Sequence, residues 1–311
     1  MHDVGIVIVT YNSGEEIGLC LDAAQASGAE IVVVDNASTD QTVAETERRG
    51  VRVIRNRENR GFAAAVNQGF RALTAKYILL LNPDAELQTG LEALREQCEL
   101  PGVGAAGGRT LNPGGAPQAG WMARRLPTPA ALCFEVSGIN RIWPHNPVNW
   151  RFRCYDLCLN QRTPVEIEQP AGAFLMVRRD AWEHVGGFDE GFYPLWFEDV
   201  DFCLRLRQAQ LRIFHVPAAV AAHTGAHSIR KIPLGLREIY WYGSLLRYAS
   251  KHFTPFNRRM VCSSVVAGSV IRAIGRCFRW GGWNEIVIYW KIIGLAVGNF
   301  HSRQPDPERF S

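Results

Sequence analysis

Four apolar runs in the first third of the chain lead into polar residues suited to holding a nucleotide. Thr10, Tyr11 and Asn12 follow the first, Asp35, Asn36, Ala37 and Ser38 the second, Asn59, Arg60 and Gly61 the third, and Asn82, Pro83 and Asp84 the fourth. An aromatic ring can lie on a base, a carboxylate or amide can read the base edge, and an acidic group can hold a cation near phosphates. Taken singly, an aspartate after a strand is more often a turn or capping residue. Four such ends meeting on one edge of an open α/β sheet describe a ligand site. No G-x-G-x-x-G follows the first run and no GK[ST] occurs, so neither the usual dinucleotide site nor a P-loop is expected. Further on, Trp196-Phe197-Glu198-Asp199-Val200-Asp201 places three carboxylates within four residues at an expected helix start. Acidic groups there compensate the helix dipole, and Asp201 with Arg205 has i,i+4 spacing, so Asp201 reads as structural.

The elements that must position these residues are legible. VGIVIV, EIVVVD, VRVIRN and YILLLN alternate with helical stretches, the rhythm of a parallel sheet with crossover helices. Ser38-x-x-Gln41 reads as a capping box before TVAETERR, and GFAAAVNQGFRAL as a small-residue helix able to press closely on the sheet. Residues 110–165, rich in Pro, Gly and Trp, read as a long functional loop region with local helices. A strand is expected at AGAFLMVRR, a helix at FCLRLRQAQ, and a short strand pair around RIFHV and AVAAH. After about residue 230 three helices follow. The apolar run from Met260 stops at Arg272 and Lys291 interrupts the last helix, so neither reaches the roughly 20 residues a bilayer core requires.

The motifs IVIVTYNS, VVVDNASTD, NRGFAAAVNQG, LLLNPDA and AGAFLMVRRDAWEHVGGFDEGFYPLWFEDVDFCLRLR, with the later stretch from His223 to Ser228, occur in one order over roughly residues 4–228. In this the chain resembles the family 2 glycosyltransferases, in particular the bacterial rhamnosyltransferase-like branch. The resemblance implies a GT-A type, Rossmann-like α/β domain over 1–230, followed by a basic amphipathic helical tail over 231–311. It implies a nucleotide-diphospho-sugar donor bound by Thr10, Tyr11, Asn12, Asp35, Asn36, Gly61, Asn82 and Asp84. Asp84 corresponds to the family's metal-binding motif, although Asn82-Pro83-Asp84 stands where many members have several acidic residues. His223 is implied as a second ligand of Mg²⁺ or Mn²⁺, with His215 and His227 nearby as rivals. Asp199 is implied as the general base, Glu198 as the group that orients it or the acceptor, and Trp196 as an acceptor contact. The implied reaction is a single in-line displacement with inversion. The NPD form of the motif makes dTDP-rhamnose the leading donor, with UDP-sugars the alternative.

Composition fits this reading. The 311 residues, 47% hydrophobic and 21% charged, suffice for one large core with an appended helical part and exclude a disordered or fibrous chain. Residues 229–311 hold 13 Lys+Arg against 4 Asp+Glu, while the rest holds 21 against 26. Amphipathic helices with basic and Trp margins suit an anionic membrane surface or, equally, packing on the α/β body or a second subunit, whereas no nucleic-acid partner is expected. The acceptor is therefore read as a glycan or lipid-linked precursor at the inner leaflet, and the protein as cytoplasmic and peripheral. Trp121, Arg124, Arg125 and Tyr193 suit an acceptor sugar or its diphosphate. The eight scattered cysteines suit a reduced compartment, and Cys154 with Cys158 is a weak zinc signal. A nucleotidyltransferase would need a Gly-rich basic loop after the first strand, which TYNSGEE lacks. A catalytically dead binding protein would have lost Asp84 or Asp199.

Overall fold

The computed structural model describes residues 3–155, 161–225, 229, 231–280 and 283–301. Cys158 and His227 lie outside these. The chain divides into two compact units, one of residues 1–126, 153–190 and 198–229, the other of residues 127–152, 191–197 and 230–311.

In the first unit the apolar runs form β1 (Val4–Thr10), β2 (Glu30–Asp35), β3 (Arg52–Arg55) and β4 (Tyr77–Leu81). They are joined by β5 (Ala85–Thr89), β6 (Val103–Leu111), β8 (Val165–Ile167), β10 (Phe174–Arg178) and β11 (Arg212–His223). The order is β3-β2-β1-β4-β10-β6-β11-β5, with β8 beside β11. A separate ribbon pairs β7 (Ala123–Arg124) with β9 (Gln169–Pro170). Strands β1 to β4 run parallel, β10 runs against β4 and β6, and β11 runs with β6 and against β5. Consequently the carboxyl ends of β1–β4, β6 and β11 and the amino ends of β5 and β10 share one edge.

Strands β1, β2 and β4 are almost continuously apolar because the sheet is covered on both faces there. Val7, Val9, Val32, Val34, Ile78 and Leu80 face one core with α3 (Phe62–Ala72), α8 (Arg179–His184) and α9 (Glu198–Gln208). Their neighbours Ile6, Ile8, Val33, Leu79 and Leu81 face a second core with α1 (Ile17–Gln25) and α4 (Leu91–Glu99). Cys154 is a buried thiol in the first core. The small-residue helix does press on the sheet: a Cβ on Gly69 of α3 would lie 2.4 Å from Val7 Cγ1.

Two expectations are corrected. Ser38 caps no helix, because α2 (Thr42–Arg48) begins after Gln41, and the Ser38 hydroxyl instead bonds Asp35 and the Asn12 amide. The strand pair at RIFHV and AVAAH is one strand, β11, whose register shifts around Pro217, a residue with no N–H to give the ladder.

The second unit draws on more than the tail. From residues 127–152 come α5 (Pro129–Ser137), α6 (Ile139–Ile142) and α7 (Pro147–Phe152), and from the tail come α10 (Leu234–His252), α11 (Pro255–Trp280) and α12 (Trp283–His301). Thr128 caps α5 by accepting from the Ala131 amide. Segment 191–197 is held here too, with Ser244 donating to the Leu195 carbonyl and Arg247 over the Phe192 ring. On α11, Val261, Cys262, Val265, Gly268 and Ser269 are buried, whereas Phe256, Met260, Val270, Ile271 and Ile274 stand exposed on the opposite side. Among the described residues no helix is long and apolar enough to cross a membrane.

Since overpacking a close helix–sheet contact costs about 1–3 kcal/mol, Gly69→Ala is expected to lower the thermal unfolding temperature measurably. An unchanged unfolding temperature would contradict the Gly69–Val7 contact.

Candidate active site

The ends of β1 and β2 are bound to each other. Asp35, 2% exposed, accepts from Thr10 Oγ1 at 2.9 Å, from Ser38 Oγ at 2.5 Å and from the Ser38 amide at 2.9 Å. Asn12, at φ +51°, accepts from the Thr39 amide at 2.8 Å, which ties the first loop to the second. The Asn36 side chain donates to the Gly61 carbonyl at 3.0 Å and accepts from Asn56 Nδ2 at 2.8 Å. Its amide is thus spent on fixing the loop before α3. Tyr11 is the exposed aromatic of this group, at 39%, and can lie against a flat ligand.

Along the same edge, the Asn82–Ala85 turn joins β4 to β5 and is anchored by the Asn82 amide on the Ala173 carbonyl. Pairing of His223 with Ala85 sets the end of β11 beside that turn, and the Thr224 amide bonds the Asp84 carbonyl. His223 Nε2 lies 3.3 Å from Asp84 Oδ1, and both side chains are mostly buried. The contact lacks hydrogen-bond geometry, leaving a buried Nε2 without a hydrogen-bond partner. A ring nitrogen and a carboxylate so disposed fit a shared divalent cation whose remaining ligands come from phosphate oxygens and water. Among the described residues no group of three ligating side chains occurs. His215, the rival ligand, is fully buried within β11, and burial followed by the Arg109 charge pushes its ring down to about 4, so it is a neutral core histidine. Beneath Asp84, Cys20 is pushed far up by burial and then by the Asp84 and Glu86 charges.

The third group sits at the start of α9. Asp199 accepts from the Val200 amide at 2.8 Å and from Gln169 Nε2 at 3.2 Å. A Cβ on Gly172 would approach Asp199 Oδ2 to 3.2 Å, so the loop entering β10 passes close to that carboxylate. That loop contains Ala173, to which Asn82 is bonded, so the Asp84 turn and Asp199 flank the same segment. Glu198 is 6% exposed with Oε2 unpartnered, and burial, then the Asp199 charge, pushes its carboxyl well above the usual range. Both effects favour its protonated form. Asp201 bonds Arg205 at 2.7 Å, as its spacing suggested. Trp196, at φ +76°, belongs to the second unit.

Sequence reasoning missed Gln118, Gln169 and Gly172. Gln118 lies in an aperiodic Pro/Gly stretch, and a glutamine there carries no pattern that distinguishes it from surface.

The family model described as glycosyl transferase family 2 matches residues 5–186, and one described as the N-terminal domain of galactosyltransferase matches residues 158–228. A curated relative, the N-acetylglucosaminyl-diphospho-decaprenol L-rhamnosyltransferase of Mycobacterium tuberculosis, is 28% identical over 265 residues, covering 79% of this chain and 84% of its own. Among solved structures, the mannosyltransferase PcManGT from Pyrobaculum calidifontis, in complex with GDP-Man and Mn²⁺, superposes with a TM-score of 0.53 at 17% identity, over 96% of this chain and 87% of that one. GalNAc-T7 with UDP, GalNAc and Mn²⁺ gives 0.61 at 15%, over 86% and 51%. The fold is thus of the GT-A type.

A carboxyl raised by folding binds its proton more tightly folded than unfolded, so Glu198 detracts from stability increasingly as pH rises from the ordinary carboxyl range toward its folded value. Glu198→Gln, neutral at every pH, is expected to be at least as stable as wild type at neutral pH and to lose that advantage in acid. Thermal unfolding across pH checks this, and an advantage that grows toward acid contradicts it.

Proposed function

The chain belongs to glycosyl transferase family 2 and is a nucleotide-sugar glycosyltransferase, and on that premise we propose that it catalyses metal-assisted, inverting transfer of rhamnose from dTDP-rhamnose to a lipid-linked glycan acceptor. The observation that carries this reading is the meeting of three groups on one sheet edge: the Asp35 network, the Asp84–His223 pair and the Asp199 carboxylate. Tyr11 and Asp35 receive the base and Asn12 and Gly61 line its approach, with Asn36 holding Gly61 in place. Asp84 and His223 would hold Mg²⁺ or Mn²⁺, which when bound neutralises charge developing on the leaving diphosphate. Asp199 takes the acceptor hydroxyl proton, oriented by Gln169, while burial pushes the adjacent Glu198 toward its protonated form. No second carboxylate is needed as a nucleophile, so the displacement is single and inverts the anomeric carbon.

The acceptor side rests on cationic groups near the base. Arg124 stands opposite Gln169 in the β7–β9 ribbon, and Gln169 touches Asp199. Arg124 and Arg153 both lie over the Trp121 ring, at 5.0 and 5.3 Å, and Trp121 is 56% exposed. An acceptor sugar whose hydroxyl meets Asp199 would carry its own diphosphate toward these guanidiniums. In the second unit, α11 carries an exposed apolar face and α12 exposes Val287, Trp290 and Val297 beside Lys291, as suits helices lying in an anionic interface. This supports placement at the inner membrane surface.

A screen of nucleotide sugars for donor hydrolysis, with and without Mn²⁺, should select dTDP-rhamnose. Asp199→Asn is expected to lose about 10²–10⁴-fold in transfer, and Asp84→Ala to lose its metal-dependent turnover. Undiminished turnover in both sinks the mechanism, and selection of a UDP-sugar would replace the donor. With a lipid-diphosphate acceptor in anionic vesicles, Arg124→Ala should raise KM about tenfold or more, equivalent to one charge-assisted contact. Phe256→Glu with Ile271→Glu should do likewise, while neither change alters turnover of a soluble uncharged glycoside. An unchanged KM removes the corresponding contact from the proposal.

A further inference from the structure

The amide of Gln118 touches His223 twice. Its nitrogen donates to the His223 carbonyl at 2.8 Å and lies 3.1 Å from Asn112 Oδ1, and its oxygen stands 3.1 Å from His223 Nδ1. A backbone carbonyl only accepts, so the nitrogen end of the amide is fixed, and the end that faces Nδ1 is the oxygen. That oxygen also only accepts, which requires Nδ1 to carry the proton. A neutral imidazole has one N–H, so Nε2 then holds a lone pair. Nε2 is the atom that is buried without a hydrogen-bond partner, 3.3 Å from Asp84 Oδ1. The opposite tautomer would let Nε2–H donate to Asp84 but would set a lone pair on Nδ1 against the Gln118 oxygen. The choice is built into the backbone: the Gln118 amide bonds the Thr110 carbonyl, and the Leu111–Pro117 bridge folds the loop back on β6.

We propose that Gln118 is a positioning residue that locks His223 in its Nδ1–H tautomer, so that Nε2 and Asp84 offer electron pairs to one point and can share the donor's cation. The assignment rests on reading Asp84 and His223 as the cation pair. It goes beyond that reading by explaining why two acceptors are held face to face in a mostly buried place. Partners of this kind fix ring orientation and commonly change metal affinity 10–100-fold.

Two variants separate the role from simple tethering of the end of β11. Gln118→Glu keeps an oxygen facing Nδ1 but loses the donor to the His223 carbonyl, and Gln118→Met keeps length and loses both. In alkaline buffer without metal, long-range ¹H–¹⁵N spectra of histidine-labelled protein should show the Nδ1–H form of His223 in wild type and Gln118→Glu, and a shift toward the Nε2–H form in Gln118→Met. Titration with Mn²⁺ and dTDP, followed by electron paramagnetic resonance, should give affinity about 10–100-fold weaker for Gln118→Met, with most of it restored in Gln118→Glu. An Nε2–H form in wild type, or an unchanged tautomer and Mn²⁺ affinity in Gln118→Met, would overturn the proposal. Asp84→Ala distinguishes the two levels. If Mn²⁺ affinity survives Asp84→Ala, the cation reading itself falls, and if it is lost there yet kept in Gln118→Met, the assignment to Gln118 falls alone.

Discussion

The register of β11 decides whether the candidate chemistry exists. His223 is the last residue of that strand, and its pairing with Ala85 sets it beside Asp84. Side chains alternate along a strand, so a slip of one residue would turn His223 to the opposite face and leave Asp84 without it. Three irregularities precede it, between Arg212 and Ile213 and between Val216 and Val220 against β6, and between Val220 and Ala221 against β5. Bulges of this kind re-aim the residues that follow. The shift is fastened from β5, where Thr89 Oγ1 donates to the Ala218 carbonyl at 3.2 Å.

The rest of the site uses the same economy of buried polar groups. Asp35, Asn36, Asp84 and Glu198 are each withdrawn from water, and each is treated differently. Asp35 is satisfied by hydroxyls and an amide and Asn36 by the loop it restrains, while Glu198 keeps an unpartnered Oε2 and is pushed toward its protonated form by burial. Asp84 faces an imidazole nitrogen that offers no hydrogen bond. Glu198, pushed up by burial, sits next to the more open Asp199, so two adjacent acids stand in different environments.

Legibility in the sequence followed periodicity. Runs such as VGIVIV and YILLLN mark β1 and β4 because both faces of the sheet are covered, and the polar residues that end them necessarily share an edge once the strands are parallel. Asp199 was singled out by the long motif around it, as what the resemblance implies. Gln118 and Gln169 were not, since each acts through one contact made from a segment without period. Ser38 was misread because a hydroxyl near a helix start has two outlets, and the Asp35 carboxylate took it. The tail's three helices were legible from their amphipathic period, but the period does not say what an apolar face meets. On α11 one side packs within its unit and the other stays exposed.

The most direct measurement is anomalous diffraction from crystals grown with Mn²⁺ and dTDP. The account predicts a single manganese peak at coordination distance, about 2.0–2.3 Å, from both the Asp84 carboxylate and His223 Nε2, with Gln118 still bonded to Nδ1. Manganese bound elsewhere, with His223 Nε2 donating to Asp84, would contradict it.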